Sequence, residues 1–553
     1  MAKVNGGDLV VRTLKREGVR QLFALSGGHI DTIFDACIDE GIRIIDTRHE
    51  QAAVHMADGW ARLTRQPGVA AVTAGPGVVD AVPGVAVAYH GGTPVVLLGG
   101  RSSIEGIEQG RLQDMDQIEL LRPITKWSKT VFDTRRIPEY VATALRHACS
   151  GRPGPVFLEI PVDVISREVD DADARIPERY RTNARPYGDP EAIHQAMSLL
   201  ASAQRPVIVA GSGVWWSNAG EELLSLAETS GIPVLTRNMA RGIVPDDHPL
   251  AVGFHPVALM QADVLLVVGT RLDFTIGYGR PPLFAENAKV IQVDVEQRDL
   301  GKNRELDVGI VGDVRAVLSQ LVTEAKQRSF AVDPGWPSMV KMTRDAWRSA
   351  LSEGISSNAS PVHPVRLCRE ISSFLDRDAI VIADGGDIAG FTLQVFDANS
   401  CPSVVWVGSF GHLGVGIPYA IAAKLAYPNR QVVVMCGDGT FGLNGMEFDT
   451  AIRHKIPFVC VISNDGAWGM IKHDQEQRYG CDRVIGCELG VTRYDKVVEA
   501  LGGYGEFVER PEDVQPALRR AFGSRLPSCI NVATDPTVAS GALSDRFIPW
   551  PIL

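Results

Sequence analysis

Two stretches near the carboxyl end of the sequence decide the fold, Gln431-Val-Val-Val-Met-Cys-Gly-Asp-Gly-Thr-Phe-Gly442 and Asn464-Asp-Gly-Ala-Trp-Gly469. Both lie at the end of short apolar runs rich in β-branched residues, which predicts two buried strands of a parallel sheet. Because the carboxyl ends of parallel strands meet at one edge, we expect Asp438 and Asp465 to lie side by side there. Hard oxygen ligands at glycine-rich turns suit Mg²⁺ or Ca²⁺ with a bound diphosphate. A lone Gly-Asp-Gly is a common turn, so this prediction depends on the second stretch.

Strand-like runs alternate with helical patterns along most of the chain, which predicts an α/β protein. The strands form three groups, each predicted to be a central parallel sheet flanked by helices. The first group is Gln21–Leu25, Ile42–Asp46, Val69–Thr73, Thr93–Leu98 and Gly154–Pro161. The second group is Pro206–Ala210, Val264–Val268 and Lys289–Asp294. The third group is Ala379–Asp384, Gln431–Met435, Phe458–Ser463 and Cys529–Ala533. Polar or irregular stretches at 168–190 and 330–361 separate the groups. We expect three domains, at residues 1–168, 190–330 and 355–540.

The composition excludes several classes of protein. Of the 553 residues 45% are hydrophobic and 22% charged, and the net charge is −11, which is typical of a folded globular chain. No long run of basic residues is present, so we expect no nucleic-acid partner. The apolar runs are too short to span a bilayer and no secretory signal is visible, so we expect no membrane association and a cytoplasmic location. Nine scattered cysteines without a Cys-x-x-Cys pair predict reduced thiols.

The two carboxyl-terminal stretches resemble the signature of thiamine-diphosphate-dependent enzymes, Gly-Asp-Gly followed by Asn-Asn; here 24 residues separate Gly439 from Asn464. The resemblance implies that Asp438, the side chain of Asp465 and the main-chain carbonyl of Ala467 hold Mg²⁺. Asp465 departs from the signature, which has Asn there, but making Asn464 the ligand would shorten the spacing. The resemblance also implies cofactor contacts from Glu50, Gly385, Gly386, Gly411, His412, Leu413, Gly437, Asp438, Gly439, Thr440, Asp465, Ala467, Trp468 and Gly469.

The order of the three α/β groups resembles the pyrimidine-binding, central and diphosphate-binding domains of this family. Asp46–Ala61 is similar to the stretch that contains the family's essential glutamate, which makes Glu50 the carboxylate expected to hydrogen-bond the cofactor's aminopyrimidine ring. Such a group needs a hydrophobic site and a raised pKa. Leu413 matches the bulky residue between the two cofactor rings, although a core leucine is an equal alternative. The resemblance implies a homodimer or homotetramer, with the cofactor between two subunits.

Within the family, Ser26–Phe34, Asp46–Ala52, Arg111–Gln117 and Pro123–Trp127 resemble benzaldehyde lyase. That resemblance implies that His29 and Gln113, with Glu50, face the reacting carbonyl and its hydroxyl; the alternative for His29 is a capping residue. The aromatic pocket is not reproduced, because Val162 and Ala389 stand where benzaldehyde lyase has Trp and Tyr.

The middle third resembles 2-hydroxyacyl-CoA lyases and oxalyl-CoA decarboxylases in Ala240–Pro249, Ala262–Asp273 and Gln292–Asp294. This resemblance implies that the central domain binds ADP or CoA. The alternative is a purely structural domain. The tail from Gly541 is short and ends in apolar residues, unlike the long basic segment expected over CoA.

Gly469–Asp474 keeps the start of the acetolactate synthase specificity segment but loses its Trp. Glu488, in a loop that relatives turn towards substrate, is a further candidate acid or base. We therefore predict a carbon–carbon lyase or carboligase that uses thiamine diphosphate and Mg²⁺ on 2-hydroxy carbonyl compounds, first of all 2-hydroxyacyl-CoA thioesters. Open alternatives are a benzaldehyde lyase type, acetolactate synthase-like condensation of 2-keto acids, and a nucleotide-binding regulatory protein without turnover.

Overall fold

The computed structural model describes residues 3–541, so most of the tail discussed above lies outside the described residues. The chain divides into two compact units. The first comprises the chain up to Asn183 with Phe410–Pro428 and Asn444–Pro457, and the second comprises the remainder. Within residues 3–541 no helix is long and apolar enough to cross a membrane. All nine cysteines are free thiols.

The first unit contains a six-stranded parallel sheet, here called the N-terminal sheet. In spatial order its strands are Arg43–Asp46, Gln21–Ala24, Gly68–Val72, Val95–Arg101, Val156–Pro161 and Ser128–Thr130. Its helices are Gly6–Arg16, Asp31–Glu40, Glu50–Thr64, Pro76–Gly91, Gln117–Leu121, Ile137–Cys149 and Val162–Ile165, and Lys3–Val4 pairs antiparallel with Val169–Asp170.

Two later helices, Gly416–Ala426 and Glu447–Arg453, also belong to the first unit. Gly416–Ala426 packs against helix Glu50–Thr64 at Gly59, where a Cβ would lie 2.8 Å from the Tyr419 ring. The hydroxyl of Tyr419 donates a hydrogen bond to Asp58, which also forms a buried ion pair with Arg62. Buried polar contacts therefore join these two helices.

The second unit contains two parallel sheets. The central sheet has the order Val234–Thr236, Pro206–Ala210, Val264–Val268, Lys289–Asp294 and Val308–Val311. Its helices include Pro190–Ser202, Ser212–Trp216, Gly220–Ser230 and Val314–Ala325.

The interpretation of residues 330–361 as an irregular stretch is wrong in its middle part. Residues Trp336–Ala350 form a helix, followed by the short helix Ser352–Ser356. Trp336 and Val340 are buried in a core with residues of the central sheet, and the Trp336 indole N–H donates to the carbonyl of Pro206 at 2.9 Å. Only Trp336 and Val340 of this helix are buried, and charged or hydroxyl-bearing residues separate its apolar ones.

The C-terminal sheet has six parallel strands in the order Val404–Trp406, Ile380–Asp384, Val432–Gly437, Val459–Asn464, Ser528–Ala533 and Tyr504–Val508. The helices that follow these strands are Asp387–Val395, Asp438–Asn444, Gly469–Tyr479 and Tyr494–Leu501, with Pro364–Phe374 and Pro511–Ser524 packed together. The α/β prediction of three parallel-sheet domains is confirmed. The precise domain boundaries stay predictions.

Candidate functional site

Asp438 and Asp465 follow the adjacent strands Val432–Gly437 and Val459–Asn464, at the same edge of the C-terminal sheet. Oδ1 of Asp438 accepts a hydrogen bond from the Gly439 N–H at 2.9 Å, and Oδ1 of Asp465 accepts one from the Ala467 N–H at 3.1 Å. The other Asp438 oxygen, Oδ2, is buried and has no hydrogen-bond partner among residues 3–541. A buried carboxylate oxygen without a partner is costly unless a cation binds it.

Burial, together with the negative charge of Asp465, raises the pKa of Asp438 to about 7. Burial also raises the pKa of Asp465, with a contribution from Asp387. Two carboxylates that disfavour each other's ionisation form a site that a divalent cation would stabilise. No cluster of three or more ligating side chains occurs in the described part of the chain, so further ligands here would be main-chain carbonyls, water or phosphate oxygens. The donors present fit Mg²⁺.

The side chain of Asn464 forms hydrogen bonds within the protein, with residues other than Asp438. Its amide donates to the Thr492 carbonyl at 2.9 Å and to Oδ1 of Asn531 at 3.0 Å, and its oxygen accepts from the Gly466 N–H. These contacts fix the turn that follows the strand. The side chain that lies beside Asp438 is that of Asp465, the residue predicted as ligand from the spacing.

Close packing requires several of the predicted glycines. A Cβ on Gly439 would lie 2.6 Å from the Trp468 ring, and one on Gly386 would lie 2.9 Å from Met470. Gly385 has φ +146°, a conformation that side chains disfavour, and its Cβ would lie 2.9 Å from Ile388. Backbone N–H groups exposed by such glycines are the usual donors to phosphate oxygens.

Gly437 and Thr440 line the same turn. A Cβ on Gly437 would be 3.5 Å from Oγ1 of Thr440, which is itself buried.

Glu488 is exposed, and its carboxylate forms an ion pair with Lys472 at 2.8 Å. Its backbone forms an isolated bridge with Ala467, so the loop that contains Glu488 is anchored to the turn that follows Asp465. The predicted role of Glu488 as acid or base stays a prediction.

Sequence reasoning missed His473 and Asp387. One ring nitrogen of His473 bonds Oδ2 of Asp387 at 3.0 Å and the other bonds the Pro536 carbonyl at 2.9 Å. Hydrogen bonding to Asp387 raises the pKa of His473 to about 9. Oδ1 of Asp387 accepts from the Ser540 N–H, so this pair ties the end of the described chain to the C-terminal sheet. No motif links residues this far apart in sequence.

In the first unit, Glu50 is the first residue of helix Glu50–Thr64, after the N-cap His49. The Glu50 side chain is buried, and Oε1 lies 3.4 Å from where a Cβ on Gly77 would be. Burial raises the pKa of Glu50, and the nearby charge of Asp80 adds to the effect. A buried carboxyl group with a raised pKa can hold a proton and donate a hydrogen bond to a ring nitrogen.

His29 lies next to the same region of the N-terminal sheet. Its Nδ1 is 3.1 Å from Oγ1 of Thr73, whose methyl group packs against Gly77 beside Glu50. Burial lowers the pKa of His29, so the ring is neutral at pH 7. Its Nε2 has no hydrogen-bond partner among residues 3–541. His29 therefore bonds Thr73, and Thr73 and Glu50 both lie close to Gly77.

Gln113 has φ +62°, unusual for a residue with a side chain, and its carbonyl lies 2.8 Å from where a Cβ on Gly75 would be. Gly75 precedes helix Pro76–Gly91, the helix that contains Gly77. Gln113 thus packs against the turn at Gly75 that begins this helix.

Gly411, His412 and Leu413 also belong to the first unit. Gly411 has φ +67°, and Leu413 is half-buried. The His412 ring is 5.0 Å from that of His55, which is fully buried and has no hydrogen-bond partner in the described chain. Burial lowers the pKa of both imidazoles.

Three family models match the chain: "Thiamine pyrophosphate enzyme, N-terminal TPP binding domain" at residues 4–120, "central domain" at 193–321 and "C-terminal TPP binding domain" at 384–532. The chain belongs to the thiamine pyrophosphate enzymes. It is 41% identical to an acetolactate synthase large subunit of Mycobacterium tuberculosis over 97% of both chains. It is 33% identical to 2-hydroxyacyl-CoA lyase 2 of Homo sapiens, covering 92% of this chain and 86% of that one. A 2-hydroxyacyl-CoA lyase of Oryza sativa is 32% identical, with 99% and 97% covered.

The prediction of a thiamine-diphosphate-dependent enzyme is therefore confirmed, and acetolactate synthases and 2-hydroxyacyl-CoA lyases are both among its relatives. The regulatory alternative without turnover has no support from these relatives. The roles of individual residues of this thiamine pyrophosphate enzyme stay predictions, and so do Mg²⁺, the central-domain nucleotide and the cytoplasmic location.

Proposed function

We propose that this enzyme is a carbon–carbon lyase or carboligase acting on 2-hydroxy carbonyl compounds, with 2-hydroxyacyl-CoA thioesters as its substrates. The observation behind the proposal is a neutral His29 whose Nδ1 bonds Thr73, together with a buried Glu50 that, like Thr73, lies close to Gly77. Cleaving the bond next to a 2-hydroxyl group requires a base that takes the hydroxyl proton. His29 suits that role when its Nδ1–H donates to Thr73, because Nε2 is then the acceptor.

Different residues of the chain have different roles in the proposed reaction. Bound thiamine diphosphate supplies the electron sink for the bond that breaks. Asp438, Asp465 and the Ala467 carbonyl would hold Mg²⁺, which would neutralise charge on the diphosphate. Glu50 holds its proton against the pyrimidine ring, and Gln113 orients the substrate oxygen. Leu413 would pack against the rings of the bound cofactor.

The assembly follows from the family resemblance. We propose a homodimer or homotetramer in which the Glu50 region of one copy meets the diphosphate-binding sheet of a second copy. A fully active monomer in sedimentation analysis would contradict this.

Acetolactate formation from 2-keto acids is the second candidate, because a relative named acetolactate synthase is 41% identical over nearly the whole chain. Against it stands Asp474, which occupies the position of the acetolactate synthase Trp. Asp474 forms an ion pair with Arg478 at 2.9 Å. A charged pair at this position would contact a substrate differently from the large apolar indole of Trp, and so would favour different substrates.

The test is a substrate panel of a 2-hydroxyacyl-CoA thioester, benzoin and pyruvate, scored by product with Mg²⁺ and thiamine diphosphate present. We expect an aldehyde or ketone plus formyl-CoA from the thioester. Acetolactate from pyruvate as the dominant product would replace this proposal with the second candidate. Omitting thiamine diphosphate should abolish every reaction.

A further inference from the structure

Gln117, the first residue of helix Gln117–Leu121, is fully buried in the first unit, and its amide bonds three different segments. Its Oε1 accepts from the Gly75 N–H at 2.6 Å. Its Nε2 donates to the Gly100 carbonyl at 3.0 Å and to Oε2 of Glu159 at 2.7 Å. The Gln117 amide therefore links Gly75, Gly100 and Glu159, which are far apart in sequence.

The orientation of this amide is fixed by its surroundings. Glu159 is fully buried, and its Oε1 accepts from Oγ1 of Thr130 at 2.7 Å and from Arg101 at 2.6 Å. The Glu159 carboxylate and the Gly100 carbonyl are acceptors, whereas the Gly75 N–H is a donor. Only one rotation of the Gln117 amide satisfies all of them, so a flipped amide is excluded.

The two glycines bonded by Gln117 each pack against a predicted substrate-facing residue. A Cβ on Gly75 would lie 2.8 Å from the carbonyl and 2.9 Å from Cβ of Gln113. A Cβ on Gly100 would overlap Cβ of His29. Neither glycine has a side chain to adjust, so a shift of its backbone moves the neighbouring residue directly.

We propose that Gln117 is a positioning residue that sets the separation of Gln113 and His29 through the backbones of Gly75 and Gly100. This inference rests on the proposed function, in which both residues face the substrate oxygen. Catalysis that depends on two polar groups meeting one substrate is sensitive to displacements of about 1 Å. Gln117 itself touches neither substrate nor cofactor.

The experiment compares Gln117→Met, which keeps the length of the side chain without its hydrogen bonds, with Thr134→Val. Thr134 is an equally buried residue of the same unit whose Oγ1 donates to the Val164 carbonyl at 2.7 Å, away from these groups. Both variants should lower the melting temperature. Only Gln117→Met should lower kcat/KM, by about 10- to 100-fold, mostly in kcat.

A double-mutant cycle with Gln113→Ala separates positioning from general loosening. We expect the kinetic effect of Gln117→Met to shrink to less than about threefold in the Gln113→Ala background, while its effect on melting temperature persists. Unchanged kcat/KM in Gln117→Met, or a kinetic loss fully additive with Gln113→Ala, would overturn the proposal. If Gln117→Met does not fold, Gln117→Asn, whose shorter amide cannot span both glycines, takes its place.

Hydrogen exchange tests the positioning independently of turnover. Residues 73–78 and 110–116 should exchange at least about tenfold faster in the variant than in wild type. Wild-type protein without thiamine-diphosphate-dependent turnover on any substrate would refute the proposed function. Exchange rates at these residues unaffected by Gln117→Met would refute the positioning role alone.

Discussion

Oδ2 of Asp465 occupies the space that a Cβ on Gly469 would need. Gly469 begins helix Gly469–Tyr479, so the helix starts against the carboxylate predicted to hold the metal. Any side chain at 469 must displace either the helix or Asp465. The absence of a side chain at one residue therefore fixes the position of a functional group four residues earlier.

Gly469→Ala should weaken Mg²⁺-dependent binding of thiamine diphosphate at least about tenfold, because Asp465 has to move. Isothermal calorimetry with cofactor at fixed Mg²⁺ measures this. The matched control is Gly442→Ala, at an exposed helical glycine whose Cβ would meet nothing within 4 Å. That change should leave binding intact and stabilise the protein slightly. Equal affinities for both variants would contradict the role given to Gly469.

Asp465→Asn restores the Asn of the family signature and removes one negative charge beside the diphosphate. We expect the variant to need a higher Mg²⁺ concentration for half-maximal activity, with a smaller loss of cofactor when metal is removed. Titrating activity with Mg²⁺ at saturating thiamine diphosphate measures the difference. If the metal dependence of the variant equals that of wild type, Asp465 is not a ligand.

Asp438 predicts a pH dependence of stability without metal. Its folded pKa is raised to about 7, so the folded state keeps a proton that the unfolded carboxyl, with a pKa of about 4, has lost. Stability of the metal-free protein should therefore fall as pH rises from about 4 to 7 and then level off. Asp438→Asn should remove the part of this decline that Asp438 contributes and make the metal-free protein more stable than wild type at pH 8.

Thermal denaturation of both proteins from pH 5 to 8, with and without Mg²⁺ and thiamine diphosphate, is the measurement. Added metal and cofactor should stabilise wild type more at pH 8 than at pH 6, and should not stabilise Asp438→Asn. A metal-free wild type whose stability rises with pH relative to Asp438→Asn would exclude a raised pKa.

Local pattern was sufficient to predict most of the strands. Pro206–Ala210 and Val264–Val268 are apolar along their whole length, and Lys289–Asp294 contains Val290, Ile291 and Val293. All three stretches are bounded by turns, and the structure has strands at those residues. The edge strand Tyr504–Val508 was missed because its residues are mostly half-buried and lack a hydrophobic run. Helix Trp336–Ala350 was missed although its apolar residues recur at helical spacing, because Gly335 and Pro337 at its start indicated an irregular stretch.

Some features of the candidate site could likewise be predicted from local sequence, and others could not. The spacing of Gly-Asp-Gly and Asn-Asp was enough to place Asp438 and Asp465 at one sheet edge, because both directly follow strands. The contacts of Gln117 and His473 are tertiary: they join residues separated by 42 and 86 positions, at Gly75 and Asp387. No periodicity or motif encodes such contacts.

The buried group formed by Asp58, Arg62 and Tyr419 gives a stability prediction separate from catalysis. Tyr419→Phe removes a hydrogen bond to a buried charged carboxylate, and should lower the free energy of unfolding by about 1–3 kcal/mol without changing KM. Tyr427→Phe is the control, because its hydroxyl donates to the Leu63 carbonyl in a part-buried position and its loss should cost less. Chemical denaturation compares them. A larger loss for Tyr427→Phe would contradict the importance given to Asp58.

Glu50→Gln removes the proton donor predicted to act on the cofactor's pyrimidine ring, and Glu447→Gln is its control. Glu447 is another buried carboxyl of the first unit, with a pKa raised to about 7 by burial, but it bonds Arg48 N–H and Thr450 and has no place in the predicted site. The measurement is thiamine-diphosphate-dependent turnover of the best substrate from the panel. We predict that Glu50→Gln, folded and still able to bind the cofactor, loses about 10²- to 10⁴-fold in kcat while Glu447→Gln keeps its activity. Undiminished turnover in Glu50→Gln would contradict the account.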